Sequence, residues 1–89
     1  MEESRKISTL PDAMVLNWWA NEPAGEDYQH VARMSRHQGC RVNGDQARRD
    51  VQRRLRRLHL IPLTRKPTSK DYLVAKQKWL TAWYDTEIV

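Results

Sequence analysis

Between residues 44 and 58 the apolar side chains are Ala47, Val51, Leu55 and Leu58, spaced four, four and three, and arginine crowds the positions between them. That spacing is one stripe of an α-helix; a strand would have to alternate every second residue. Asn43 reads as the N-cap, with Gln46 three residues on in a variant of the capping box. The predicted helix runs over 43–59. Projected at about 100° per residue, Asp45, Arg49, Gln52, Arg53 and Arg56 fall on the outward face. Arg48 and Arg54 flank the stripe, and Arg54 is expected to snorkel from its edge to water.

The charge of the chain follows that helix. Its net charge is +5. Residues 41–57 hold Arg41, Arg48, Arg49, Arg53, Arg54, Arg56 and Arg57 against Asp45 and Asp50, so this stretch carries the whole excess. Solvated helix faces usually interleave both signs. An excess confined to one stripe is the electrostatic footprint expected of a nucleic-acid site. Arginine suits that role, because its planar fork matches phosphate and the guanine edge.

The rest of the chain must supply a core without phenylalanine. There are four tryptophans, Trp18, Trp19, Trp79 and Trp83, and each ring can bury roughly 150–250 Å². With 89 residues the chain fits one domain. It has no membrane-spanning run and no export signal, and Cys40 is its lone cysteine, so the cytoplasm is the expected compartment.

Residues 1–8 are polar and expected to fray. A first helix is predicted over 11–20, with Thr9 and Asp12 at capping-box spacing and Met14, Val15, Trp18 and Trp19 facing inward. A second is predicted to start after Asp27 as N-cap and run to Gln38, with Tyr28, Val31, Ala32 and Ser35 inside and Gly39 as its C-terminal cap. The third follows a short turn at residues 39–42. Leu60-Ile61-Pro62-Leu63-Thr64 and Asp71-Tyr72-Leu73-Val74, around Arg65-Lys66-Pro67-Thr68-Ser69-Lys70, read as a β-hairpin with a basic tip. A last helix over 75–84 sets Ala75, Trp79 and Trp83 four residues apart on one face.

This order of elements is a helix-turn-helix followed by a wing. The predicted fold class is mostly α with a small β-hairpin, a winged helix-turn-helix over 9–74, with a flexible terminus at 1–8 and an appended helix at 75–89. His30-Val31-Ala32-Arg33-Met34, Gly39-Cys40-Arg41-Val42-Asn43 and Ala47-Arg48-Arg49-Asp50-Val51-Gln52 resemble the N-terminal winged-helix domain of WYL-type bacterial transcriptional regulators. The resemblance spans roughly residues 13–74 and implies DNA binding. It implies no ligand sensing, since no WYL effector domain follows, and a stand-alone domain of this size is similar to a phage or mobile-element regulator.

On this reading the chain is a sequence-specific binder of double-stranded DNA, a transcriptional regulator, with no enzymatic role and no cofactor. Arg49, Gln52 and Arg53 are the expected base readers, since Arg pairs bidentately with guanine and Gln with adenine. Arg41, Asn43, Arg48 and Arg56 are expected on phosphates, and Arg65, Lys66 and Lys70 at the wing tip. Arg33 and Arg36 either assist or are merely solvated. Asp50 is placed to bridge to Arg54 at i+4. His30, His37, Cys40 and His59 do not complete a tetrahedral metal set, and no nucleophile–base spacing is present. The alternative is a phage-type protein that grips and inhibits a host protein, with Trp79 and Trp83 as its contact. The other readings of these two rings are packing on the first helix, against Trp18 and Trp19, and a homodimer.

Overall fold

The computed structural model describes residues 4–87, with side chains described up to residue 82. Four helices carry the fold: α1 (Asp12–Ala20), α2 (Gln29–His37), α3 (Gly44–Arg57) and α4 (Ser69–Glu87), preceded by a short 3-10 turn, Ile7–Thr9. α1 packs against all three other helices, and α2 packs against α3.

The predicted β-hairpin is absent. Among the described residues there is no strand; the only β feature is an isolated parallel bridge between Arg5 and Cys40. The fold is therefore all-α, and the wing is withdrawn. The physical reason lies at residues 68–71, which are a helix start rather than a turn between strands. The Thr68 N–H donates to Asp71 Oδ2 at 2.7 Å, and the Asp71 N–H reaches Thr68 Oγ1 at 3.4 Å. This reciprocal pair is the capping-box arrangement. Arg65 adds a fork onto the same carboxylate, at 2.7 and 2.9 Å. Asp71, Tyr72, Leu73 and Val74 thus form the opening of a helix of 19 residues instead of a second strand. Residues 60–64 are an irregular connection in which Ile61 is buried.

The first three helices keep close to their predicted bounds, but two of their caps differ. Thr9 and Asp12 do not form a box: the Thr9 hydroxyl donates to the Lys6 carbonyl at 2.6 Å, and Asp12 is engaged by arginines of α3. Asp27 does not cap α2. Asp27 and Tyr28 both sit at positive φ, 47° and 67°, and the carboxylate of Glu22 accepts from the N–H groups of Tyr28 and His30, each at 3.0 Å. A side chain six to eight residues upstream thus satisfies donors that a helix start leaves open.

The C-terminal ends of α2 and α3 share one device. Gly39 has φ 88°, its N–H bonds the Arg36 carbonyl, and the Cys40 N–H bonds the Ser35 carbonyl, both at 3.0 Å. This is a Schellman closure with glycine in the left-handed position, as the sequence predicts. α3 ends the same way, except that His59 occupies that position at φ 58°, with Leu60 N–H on the Leu55 carbonyl at 2.9 Å.

Val15, Leu16 and Trp19 of α1, Val31, Ala32 and Ser35 of α2, and Ala47, Val51 and Leu55 of α3 are buried together. Met14 and Trp18 pack against that cluster but stay half-buried. α4 closes the far side of α1. Ala75 is buried, Trp79 Nε1 donates to Asn17 Oδ1 at 2.6 Å, and the Lys76 ammonium stands 5.3 Å from the Trp19 ring centre. Trp79 therefore packs on the first helix; the side chain of Trp83 lies outside the described residues. No helix among them is long and apolar enough to cross a membrane.

Candidate nucleic-acid interface

α3 is the element on which the predicted interface depends, and its cap is formed as read from sequence. Asn43 Oδ1 accepts from the Gln46 N–H and the Gln46 side chain accepts from the Asn43 N–H, both at 2.9 Å. The Asn43 side chain is thus committed to the helix start. A Cβ at Gly44 would stand 2.4 Å from Nε2 of Gln29, the end of an exposed, flexible side chain of α2.

The inward face departs from prediction at three places. Arg54 does not snorkel: it is 4% exposed, and Asp50 beside it is 2% exposed. The Arg54 guanidinium donates to Asp50 Oδ2 at 2.6 Å, to Asp12 Oδ1 at 2.7 Å, and to the carbonyls of Leu10 and Ile7 at 2.8 Å. The i+4 bridge expected on the surface is therefore a buried junction joining α3, α1 and the 3-10 turn. Leu58, expected inside, is exposed at the last turn. Gln52, expected outside, is half-buried.

The arginines of α3 divide by what holds them. Arg53 pairs with Asp50 at 2.7 Å, Arg57 with Asp12 at 2.6 Å, and Arg48 loosely with Asp45 at 3.5 Å. Burial alone would raise the pKa of Asp12, but hydrogen bonds from Arg57 and Arg54, with their charges, outweigh it and hold the carboxyl below its ordinary value. Arg41, Arg49 and Arg56 are exposed and have no hydrogen-bond or ion-pair partner among the described residues. On α2, Arg36 donates to the Val42 carbonyl at 2.9 Å and so braces the turn, while Arg33 pairs with Glu26 at 2.8 Å.

The structure brings Arg41, Arg49 and Arg53 to one groove of about 430 Å³ and adds Arg5 and Lys6 from the chain's beginning. Sequence reasoning missed those two, since a lone basic pair in a polar terminus carries no signal of its own. Arg48 lies on the other flank, beside Asn43, Asp45 and the start of α2. Arg65, Lys66 and Lys70 do not form a wing tip. Arg65 is forked onto Asp71, Lys66 is exposed in the connection, and Lys70 is exposed in the first turn of α4. Arg65 and Lys70 border a separate groove with residues 59–62 and Lys78.

No family model, no curated protein and no solved structure matches the chain.

Proposed function

We propose that this protein binds duplex DNA with the outer face of α3 directed into the major groove. The carrying observation is the separation of charges on that helix. Asp50 and Asp12 are consumed by inward or flanking arginines, while Arg49 and Arg56, with Arg41 in the preceding turn, remain exposed and unpartnered among the described residues. A helix of 14 residues with a completed N-terminal cap suits a groove about 12 Å wide, which admits one α-helix. The preceding α2, packed on α3 and joined to it by a turn that Arg36 braces, supports a helix-turn-helix mode of docking without a wing.

Within that reading Arg49 and Arg53 are the base readers, with Gln52 behind them, and Arg41, Arg48 and Arg56 hold phosphates. A salt titration on random duplex DNA tests the electrostatic part. If about six phosphates are neutralised, log K falls against log salt with a slope near −5, from about −0.9 per contact. Absence of duplex binding even at low salt sinks the reading. Single alanine substitutions test the assignment of roles: loss of a true base reader costs about 1–3 kcal/mol and relaxes preference at its own base pair, whereas Arg56→Ala weakens all sequences alike.

A further inference from the structure

Residues 4–8 run beside the flank of α3 that carries Gln46, Arg49 and Arg53, and they are fastened there at two points. The Arg5 N–H donates to the Gly39 carbonyl at 3.0 Å, within the isolated bridge to Cys40. Two residues on, the Ile7 carbonyl accepts from the buried Arg54 at 2.8 Å. Both fastenings use backbone groups of the segment. The side chains of Arg5 and Lys6 are left exposed, with only a long contact of 3.5 Å from Arg5 to the Gln38 carbonyl.

The groove between this segment and α3 is lined by Arg5, Lys6, Arg41, Gln46, Arg49 and Arg53. Among the described residues its only carboxylate, Asp50, is buried and already bonded to Arg53 and Arg54. Five cations therefore face one open space in which the one described acid is compensated. Crowding like charges costs self-repulsion, and an anion with several charges relieves it. At about 430 Å³ the groove has room for more than one anionic group.

We infer that this groove seats a phosphate chain, namely the sugar-phosphate backbone of one strand of the duplex that α3 reads, gripped by Arg5 and Lys6 on one wall and Arg41 on the other, alongside the base readers Arg49 and Arg53. The inference rests on the DNA reading above and extends it: the beginning of the chain becomes an arm of the interface, holding phosphate and carrying no base preference. Phosphate contacts position a protein on a duplex without reading sequence.

The test uses the full chain and the double variant Arg5→Ala/Lys6→Ala. Both side chains are exposed, so the melting temperature is expected to stay that of the wild type; should the double variant fail to fold, Lys6→Ala alone carries the test. In the first arm, the salt slope on random duplex becomes shallower by about 1.8 for two lost contacts, or by about 0.9 for one, while the ratio of affinities for a selected and a random duplex is unchanged. Duplex binding with an unaltered slope overturns the seat and leaves the DNA reading standing. In the second arm, inorganic tripolyphosphate is titrated and backbone amide shifts are followed. The expected shifts fall in residues 4–8 and 41–49, and the double variant requires several-fold more tripolyphosphate. Shifts confined to other basic residues, such as Arg65 and Lys70, overturn the seat. Wild-type protein that binds tripolyphosphate in this groove but no duplex at any salt overturns both the backbone assignment and the DNA reading.

Discussion

Arg54 and Arg56 stand two residues apart on one helix and do opposite things. Arg54 is buried and commits four of its N–H groups to Asp50, Asp12 and the carbonyls of Leu10 and Ile7, out of the five that a guanidinium owns. Arg56 is exposed and has no partner among the described residues. Residue type is the same and helical context is nearly the same. What differs is the supply of acceptors. A buried charge is tolerable only when it is paired and its hydrogen bonds are filled. The turn before α1 and the first residue of α1 offer two carbonyls and Asp12 at one spot; Arg54 reaches all three from the inward side, while the exposed Arg57 reaches Asp12 alone. The arginine excess of this helix is therefore two populations, one that holds α3 to α1 and one left over for a partner.

The largest effect that can break this division is at Arg54. Arg54→Ala leaves Asp50 buried with its principal counter-charge gone and the Leu10 carbonyl without its donor. The expected loss is about 3–5 kcal/mol, the usual cost of breaking a buried pair by removing one member, read from urea unfolding. Arg54→Lys is expected to recover little, because an ammonium carries three donors from a single point and cannot span four acceptors on different elements. If Arg54→Ala were as mild as a surface substitution, the inward and outward arginines would not be distinct classes.

That distinction was only half legible in the sequence. The apolar stripe at Ala47, Val51 and Leu55 and the caps at Asn43 and Gly39 were readable, because spacing and backbone chemistry are local. Arg54 flanks that stripe in projection, and Asp50 four residues before it was a readable partner. Its burial was not readable, since it depends on Asp12 and on two carbonyls more than forty positions away. α4 was misread for a related reason. Pro67-Thr68-Ser69 followed by Tyr72-Leu73-Val74 matches a turn and a β-rich run, and only the reciprocal bonds of Thr68 and Asp71 show that the same residues start a helix. Of the candidate site, the arginines of α3 were identified, but Arg5 and Lys6 were not. Their place beside α3 is set by a backbone bond to Gly39 that no pattern of side chains announces.

A second way to sharpen the division is acid. Asp12 is shared between the buried Arg54 and the exposed Arg57, and its carboxyl titrates below its ordinary value of 3.8. A carboxyl whose pKa is lower in the folded than in the unfolded chain contributes stability above its ordinary value and loses it as pH falls through the folded value. The wild type is thus expected to lose stability from about pH 5 downward, and Asp12→Asn is expected to be less stable at neutral pH but to show a flatter acid limb. Parallel acid limbs in the two proteins would remove Asp12 from the junction.

Asn43 caps the helix that carries both populations, and the expected effect there is smaller. Asn43→Ala removes the cap and should cost about 1 kcal/mol. Asn43→Asp keeps an acceptor for the Gln46 N–H and places negative charge at a helix N-terminus, which is favourable, so stability is expected to hold. The same change sets a carboxylate beside the proposed phosphates and should weaken duplex binding. A thermal melt and a binding isotherm on the same two variants separate the cap from any contact with DNA. Unchanged affinity in Asn43→Asp would mean that the start of α3 does not approach phosphate.

The smallest expected effect on stability, and the most telling, is at Arg49 and Arg56. Neither side chain bonds to the described residues, so Arg49→Ala and Arg56→Ala should each alter unfolding free energy by no more than about 0.5 kcal/mol, as for surface positions without special features. Removing one cation from a crowded stripe can even stabilise, because like charges on neighbouring turns repel. In duplex binding the two should part company. Arg56→Ala is expected to lower affinity for every sequence by a similar factor, with the salt slope shallower by about 0.9. Arg49→Ala is expected to lower affinity mainly for the selected sequence, by about 1–3 kcal/mol, if its fork meets a guanine. The decisive pattern is little change in stability together with a clear loss of binding in both variants. If either variant unfolded easily, its arginine would belong with Arg54 as a residue that holds the fold. If both were stable and bound duplex as tightly as the wild type, the outward arginines would be a solvated face, and the division on α3 would carry no function.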